Sequence, residues 1–413
     1  MHRAIVASLI ALSLTGPALA IDEAHKSRGE EIAAKAIAYL RSAQDKTSGG
    51  WSIPEPGKGA PTFPAISGLV LNGMLMQPGV DHNDPTVARG IQFILSSVRS
   101  DGGIYDTILP TYNTAICASA LARVDTPEAK KAVAAALDHL RRAQWGAPGA
   151  TDADMKGQSI SLTPVDKDHP FYGGLGYGNR SRPDISNLQF MLQAFADCRV
   201  PTDDPAFKRA LVFLQRCQMI ERGSDGMTIN DQPYAKGSTQ GGFIYATAEN
   251  AETVGKGQSF AGTIEETLDD GSRVSRLRAY GSTTYAGFKS YIYAGLNKSD
   301  PRVHAALDWI TSNYTLKENP GIGAEGYYYY VIAFARALDA HGSPVLSVRE
   351  PAAASGPAAV KQPRDWQNDL VDRLAELQQP DGSFKVMNDR WMENNPVLIT
   401  SYSLVALQHA LRE

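Results

Sequence analysis

A six-fold beat runs through this chain, and it constrains the fold more than any single residue does. The repeating unit is an amphipathic helix ending in Gln in its fuller copies, a turn with Gly and an aromatic residue, and a second, more apolar helix. The clearest copy is Lys35-Ala36-Ile37-Ala38-Tyr39-Leu40-Arg41-Ser42-Ala43-Gln44, followed by Gly49-Gly50-Trp51. Self-similarity of this kind means stacked units, none of which buries its apolar face alone. Helical spacing of apolar residues puts the first helices at 32–44, 87–98, 129–144, 206–218, 303–314 and 366–378, with glycines after them as stops. The second helices fall at 63–76, 111–124, 183–198, 283–296, 326–340 and 396–411, several opening at a proline such as Pro110, Pro183 or Pro396. They are apolar on most faces, as the inner layer of a double ring requires. The pattern predicts an all-α fold, an (α/α)6 toroid of six helical hairpins. An open α-solenoid is the competing arrangement, and six degenerate units favour closure.

Residues 1–20 stand outside the beat. His2-Arg3 is a short positive start, residues 4–14 are apolar apart from Ser8 and Ser13, and Ala18-Leu19-Ala20 has the small-x-small form of a cleavage site. This predicts a secretory signal peptide, leaving residues 21–413 as a single secreted or periplasmic domain. The apolar run is too short to span a bilayer, and no other stretch reaches the roughly 18 residues a transmembrane helix needs. Net charge is -4, from 40 basic and 44 acidic residues; losing Arg3 leaves 39 against 44, or -5. That balance carries no footprint for nucleic acid. Cys117, Cys198 and Cys217 are an odd set. Cys198 and Cys217 end successive antiparallel helices, about 20 Å apart and too far to bridge, so free thiols are expected. The histidines show no ligand spacing, so neither a metal nor a cofactor is expected.

Three segments break the beat. Residues 219–281 carry alternation at 241–248 and 274–280 around Asp269-Asp270-Gly271-Ser272, which predicts an inserted β-hairpin. Residues 146–182 form a long Gly-rich loop, a common place for function. Residues 343–363, rich in Ala, Pro and Ser, read as a flexible linker before the last helical pair.

The residues at 35–51 resemble the repeat of terpenoid cyclases and protein prenyltransferase β-subunits. Arg209-Ala210-Leu211-Val212-Phe213-Leu214 through Gln218 repeats its helical half, and Gln378 with Gly382-Ser383-Phe384 its second half. The resemblance covers almost the whole of residues 21–413. It implies that Gln and the turn aromatic tie one outer helix to the next. Gly281-Ser282-Thr283-Thr284-Tyr285-Ala286-Gly287 and Arg390-Trp391-Met392-Glu393 look like exported bacterial squalene-cyclase-like proteins. Squalene–hopene-type cyclases protonate an alkene with Asp-x-Asp-Asp-Thr-Ala at the start of an inner helix. The matching stretch here is Pro110-Thr111-Tyr112-Asn113-Thr114-Ala115, so Tyr112 and Asn113 replace the two acids. The zinc-binding Asp-x-Cys pair of prenyltransferases and the thioester motif of complement-type toroids are both missing.

In such a ring the inner-helix N-termini gather at one mouth of the central cavity, the default pocket for the architecture. Asp184 and Glu325 are the acids at those starts and the candidate acid–base pair; equally, Asp184 is placed to cap its helix. Tyr112, Asn113, Arg182, Asn187, Tyr285, Tyr328 and Tyr402 are the candidate binding residues. In the run Tyr327-Tyr328-Tyr329-Tyr330 one or two rings must face inward. Three functions fit: a divergent isoprenoid cyclase or mutase, a carbohydrate-active, lyase-like enzyme, and a non-catalytic toroid that binds a small molecule or glycan. A dry aromatic pocket would favour the first, an open groove of Arg and Tyr the second, a filled centre a scaffold.

Overall fold

The computed structural model describes residues 21–51, 62–149, 151–153, 159–161, 164–178, 181–255, 257–268, 270–349 and 360–412; the leader read at 1–20 lies outside them. Among these residues are twelve α-helices. The outer ones are α1 (Glu23–Ser42), α3 (Pro85–Ser96), α5 (Pro127–Ala143), α7 (Pro205–Cys217), α9 (Pro301–Ser312) and α11 (Trp366–Leu377). The inner ones are α2 (Pro64–Leu75), α4 (Pro110–Leu121), α6 (Ile185–Asp197), α8 (Gly281–Tyr293), α10 (Tyr327–His341) and α12 (Pro396–Ala410). Asp84, Asp204, Asp300 and Asp365 start α3, α7, α9 and α11 by accepting first-turn N–H groups. The inner helices pack in the order α2, α4, α6, α8, α10, α12, and α12 returns to α2, which closes the ring. Helix α1 lies against α11 and α12, so both ends of the domain meet at one seam. The fold is the expected all-α toroid.

The repeat residues hold the outer layer. Gln44 Nε2 donates to Gly49 O at 2.7 Å and to Thr86 O of the next outer helix at 2.8 Å. Gln144 spans Gly173 O and Ala206 O (2.9 and 3.0 Å), and Gln218 spans Gly241 O and Arg302 O (2.8 and 2.9 Å). Gln378 reaches Ile32 O at 2.9 Å, which makes the same tie across the seam. Trp51 is 1% exposed and its Nε1 donates to Leu40 O at 2.7 Å. Buried carbonyls at helix starts and turns thus receive the partner they need. The turn glycine lies directly on the neighbouring helix. A Cβ on Gly173 would stand 1.8 Å from Arg209 O, and one on Gly382 2.2 Å from Lys35 O.

Three two-stranded antiparallel sheets stand outside this helical double layer: β1 (Thr151–Ala153) with β2 (Ser159–Ser161), β3 (Thr263–Thr267) with β4 (Arg273–Leu277), and β5 (Val345–Arg349) with β6 (Lys361–Asp365). The hairpin expected within 219–281 is β3–β4; residues 241–248 form no strand, and Phe243 only bridges to Gln218. The long loop 146–182 carries β1–β2. Of the stretch 343–363, read as a flexible linker, 345–349 form β5 and 361–363 belong to β6, while 350–359 lie outside the described residues. Leu346 and Val348, 3% and 6% exposed, alternate into the core, and β5 packs on α9. Cys117, Cys198 and Cys217 are free thiols. Among the described residues no helix is long and apolar enough to cross a membrane.

Candidate functional site

A cavity of about 200 Å³ opens at the end of the ring where the inner helices begin. Every inner helix contributes to it: Ala65, Ile66 and Leu69 from α2, Tyr112 from α4, Ser186 from α6, Ser282 from α8, Tyr329 from α10, and Leu398 and Tyr402 from α12. Two of the segments that interrupt the beat, and one further connection, reach the same mouth. The loop 146–182 supplies Tyr177, the insertion supplies Tyr245, Phe260 and Tyr280, and the connection from α11 to α12 supplies Trp391, Met392 and Glu393. The wall is mostly aromatic. Tyr112 stacks on Tyr177 with ring centres 5.7 Å apart and meets Phe190 edge-on at 5.0 Å. Trp391 meets Phe260 edge-on at 5.2 Å, and Arg390 lies 4.4 Å from the Trp391 ring centre and 5.0 Å from that of Phe260.

Among the described residues Glu393 is the one carboxyl in that wall, and it is 1% exposed. Helix α10 begins at Gly326, which has no side chain to cap it. Glu393 does so from across the mouth: Oε2 accepts Tyr328 N–H at 3.1 Å and Oε1 accepts Tyr329 N–H at 2.8 Å. Burial pushes its carboxyl up to about 7, against the downward pull of those N–H groups. Protonated and ionised forms therefore both occur there near neutral pH. The phenols of Tyr112, Tyr177, Tyr245, Tyr280, Tyr329 and Tyr402 are all pushed up by burial and stay neutral.

Backbone strain concentrates at the same mouth. Among the described residues four that are not glycine have positive φ, and three of them line the cavity: Leu109 (50°), Trp391 (55°) and Met392 (63°). Such conformations cost of order 1–3 kcal/mol each and cluster where a site demands them. Trp391 and Met392 remain 43% and 39% exposed, large apolar side chains at the opening.

The residues singled out from sequence divide. Tyr112 and Tyr402 line the cavity. Asn113 turns away and ties the helix starts, accepting Ala65 N–H at 3.0 Å and donating to Ile108 O at 2.9 Å. Asp184 caps α6 through Asn187 N–H at 2.9 Å, and the Asn187 side chain donates to its other oxygen at 2.9 Å, so both face into the cap. Burial pushes Asp184 up to about 7, offset by hydrogen bonds from Asn187 and Tyr245 and by the charge of half-buried Arg182. Asp184 touches the cavity only through Tyr245, whose hydroxyl is 3.1 Å from that of Tyr177. Arg182 is not in the wall. Glu325 points outward and pairs with Arg390. Tyr285 packs on Tyr330 and Phe334 at 5.5 and 5.2 Å, away from the cavity. Tyr328 donates its hydroxyl to Lys385 O; in the tyrosine run it is Tyr329 that faces inward.

No family model matches the sequence, and no curated protein sequence does. Solved structures match it as a whole. A single-substitution variant of the type II terpene cyclase MstE from Scytonema is similar at TM-score 0.51 and 12% identity, over 95% of this chain and 99% of that one. A second MstE variant, in complex with its substrate geranylgeranyl dihydroxybenzoate, gives TM-score 0.50 at 12% identity over the same shares. The GH76A α-1,6-mannanase of Salegentibacter sp. HEL1_6 gives TM-score 0.52 at 10% identity, over 92% of this chain and 98% of that one. At such identities the likeness is one of fold: this chain folds as an α/α toroid, the architecture of both that terpene cyclase and that mannanase.

Proposed function

We propose that this chain binds an apolar, isoprenoid-like molecule in the aromatic cavity and rearranges it by proton transfer from Glu393. One observation supports this above others: the wall holds six tyrosines, two phenylalanines and a tryptophan around a single carboxyl. Glu393 gives its proton to one carbon of an alkene. The cation left on the other carbon is attacked by a second double bond, and a neighbouring C–H then returns a proton to the Glu393 carboxylate. Nothing is oxidised or reduced, and the product is an isomer of the substrate. The tyrosine and tryptophan faces steady the passing positive charge. The prenylated substrate of the MstE complex is of the same chemical class. Hydrolysis of a glycoside needs two carboxyls, about 5–5.5 Å or 6.5–9.5 Å apart. Here Asp184 stands outside the wall and Glu325 pairs with Arg390, and among the described residues no arginine lines the wall for a lyase-like reading.

The test is native mass spectrometry of the purified domain after incubation with lipid and glycan extracts. Retention of an isoprenoid lipid is expected; retention of a glycan alone would overturn the reading. Export belongs to the same proposal. It is supported by Asp22, which caps α1 through His25 N–H at 2.9 Å, so the first helix begins directly after the cleavage point read at Ala20. N-terminal sequencing of the protein recovered from an expressing bacterium should begin at Ile21, and a chain that keeps residues 1–20 in the cytoplasm refutes it.

A further inference from the structure

We propose that the lumen of the ring, below the aromatic cavity, binds a small monovalent anion between Arg336, Lys289 and Arg123. The cavity occupies only the N-terminal part of the inner helices. Further along the chain from the lining residues Ser186, Ser282, Tyr329 and Tyr112 stand Gln189 and Gln193, Lys289, Arg336 and Arg123. The two levels touch where Gln189 Nε2 donates to the hydroxyl of Tyr329 at 3.3 Å.

The lower level carries more positive groups than it has partners for. Lys289 is fully buried and its Nζ donates to two neutral amide oxygens, Gln189 Oε1 at 2.6 Å and Gln193 Oε1 at 2.9 Å. Arg336 is 3% exposed, and its Nε has no hydrogen-bond partner among the described residues. Arg123 donates through Nε to Asn72 Oδ1 at 3.1 Å and lies 3.9 Å from Asp197. Asp197 is the carboxylate that faces this group, and it is already shared, accepting from Ser119 and, at 3.1 Å, from Gln193. Asp339, the next acid, is held by His409 and by Arg412 at 3.1 Å. The remaining neighbours, Tyr293 and Arg412, bring no further negative charge. The C-terminal dipoles of the inner helices favour cations here, but only weakly.

Burying a charged group without a partner costs several kcal/mol. One small anion would take the free Arg336 N–H and also face Lys289 and Arg123. It would likewise restore the charge of Lys289, which burial and the adjacent Arg336 push well below the ordinary lysine range. Halide, nitrate and small carboxylates share the required chemistry, a single negative charge that accepts several N–H donors.

Thermal unfolding of the whole domain at constant ionic strength tests this, with sodium gluconate exchanged stepwise for chloride, bromide or nitrate. A saturable rise in Tm is expected, as for any ligand of the folded state, and it should vanish in Arg336→Met. Should that variant fail to fold, Lys289→Met serves in its place. Crystals soaked in bromide give a direct readout: an anomalous peak within hydrogen-bonding distance of Arg336 Nε and Lys289 Nζ. Equal Tm in gluconate and chloride, or an ordered water on Arg336 with no anomalous peak, overturns the proposal. Neither outcome bears on the aromatic cavity, so this site and the proposed isomerisation stand or fall separately.

Discussion

Glu393→Gln is expected to leave the ring folded and its cavity loaded while turnover falls by about 10²–10⁴-fold, the range that a positioned acid contributes. Glutamine keeps the carbonyl oxygen that accepts an N–H of Tyr328 or Tyr329, so the cap on α10 is weakened rather than removed. It has no acidic proton, so a cation cannot be started. The pH dependence follows from the same group. Glu393 acts in its protonated form, and its carboxyl is raised to about 7. Turnover should therefore be level at acid pH and decline as pH rises through about 7. Stability carries the same sign. A raised folded-state pKa gives a contribution that is full below the unfolded value, near 4.5, and is lost as pH climbs past about 7. Wild type should thus lose more stability than Glu393→Gln between pH 5 and pH 8, read as urea midpoints. Comparing the two chains cancels the slopes they share from Asp184, which is also raised, and from His341 and His409, which burial lowers to about 4. If Asp184→Asn abolishes turnover and Glu393→Gln does not, the acid has been assigned to the wrong residue.

Gly382→Ala should be the most damaging single methyl group in the repeat turns at the seam. Gly382 has φ of +90°, and its Cβ would meet Lys35 O at 2.2 Å and Lys35 C at 2.7 Å. Left-handed backbone costs an L-residue roughly 1–2 kcal/mol, and forcing a methyl into packed atoms adds about 1–3 kcal/mol. The expected loss is about 2–5 kcal/mol, a large share of the 5–15 kcal/mol typical of a domain. Gly79 is the control, with a similar φ of +81° and nothing within 4 Å. Gly79→Ala should cost the backbone share alone. Equal losses in urea unfolding would mean that close approach to α1 is not what demands glycine at 382.

The ring was legible because its cause is local. Apolar spacing and Pro or Asp starts place all twelve helices to within a few residues, except that α1 begins at Glu23 rather than near 32. Its first turns are polar and bury only Gly29, so no period marks them. The β5–β6 ribbon was missed for a related reason: β5 alternates, but its partner Lys361–Asp365 has no buried residue. The inner-helix starts border the candidate cavity, and Tyr112 and Tyr402, which line it, were readable from them. Glu393 was not. It caps a helix 65 residues away in sequence, and no spacing rule reports a cap delivered across a ring. Tyr177, Tyr245 and Phe260 come from segments with no period, and they meet only once the ring has closed.

Closure through Gln378 and Ile32 also limits how such a protein can change. An open solenoid lengthens by whole repeats, because a new unit simply becomes its next neighbour. A closed ring has no free end to extend, and a seventh hairpin would have nowhere to dock. Length can be gained only in the connections; those at 146–182, 219–281 and 378–395 supply residues of the cavity wall, while the one carrying β5 and β6 does not. Descendants of this chain are thus confined to one architecture and free in one place, so new chemistry can arise at the mouth while the clasps beneath it stay unchanged.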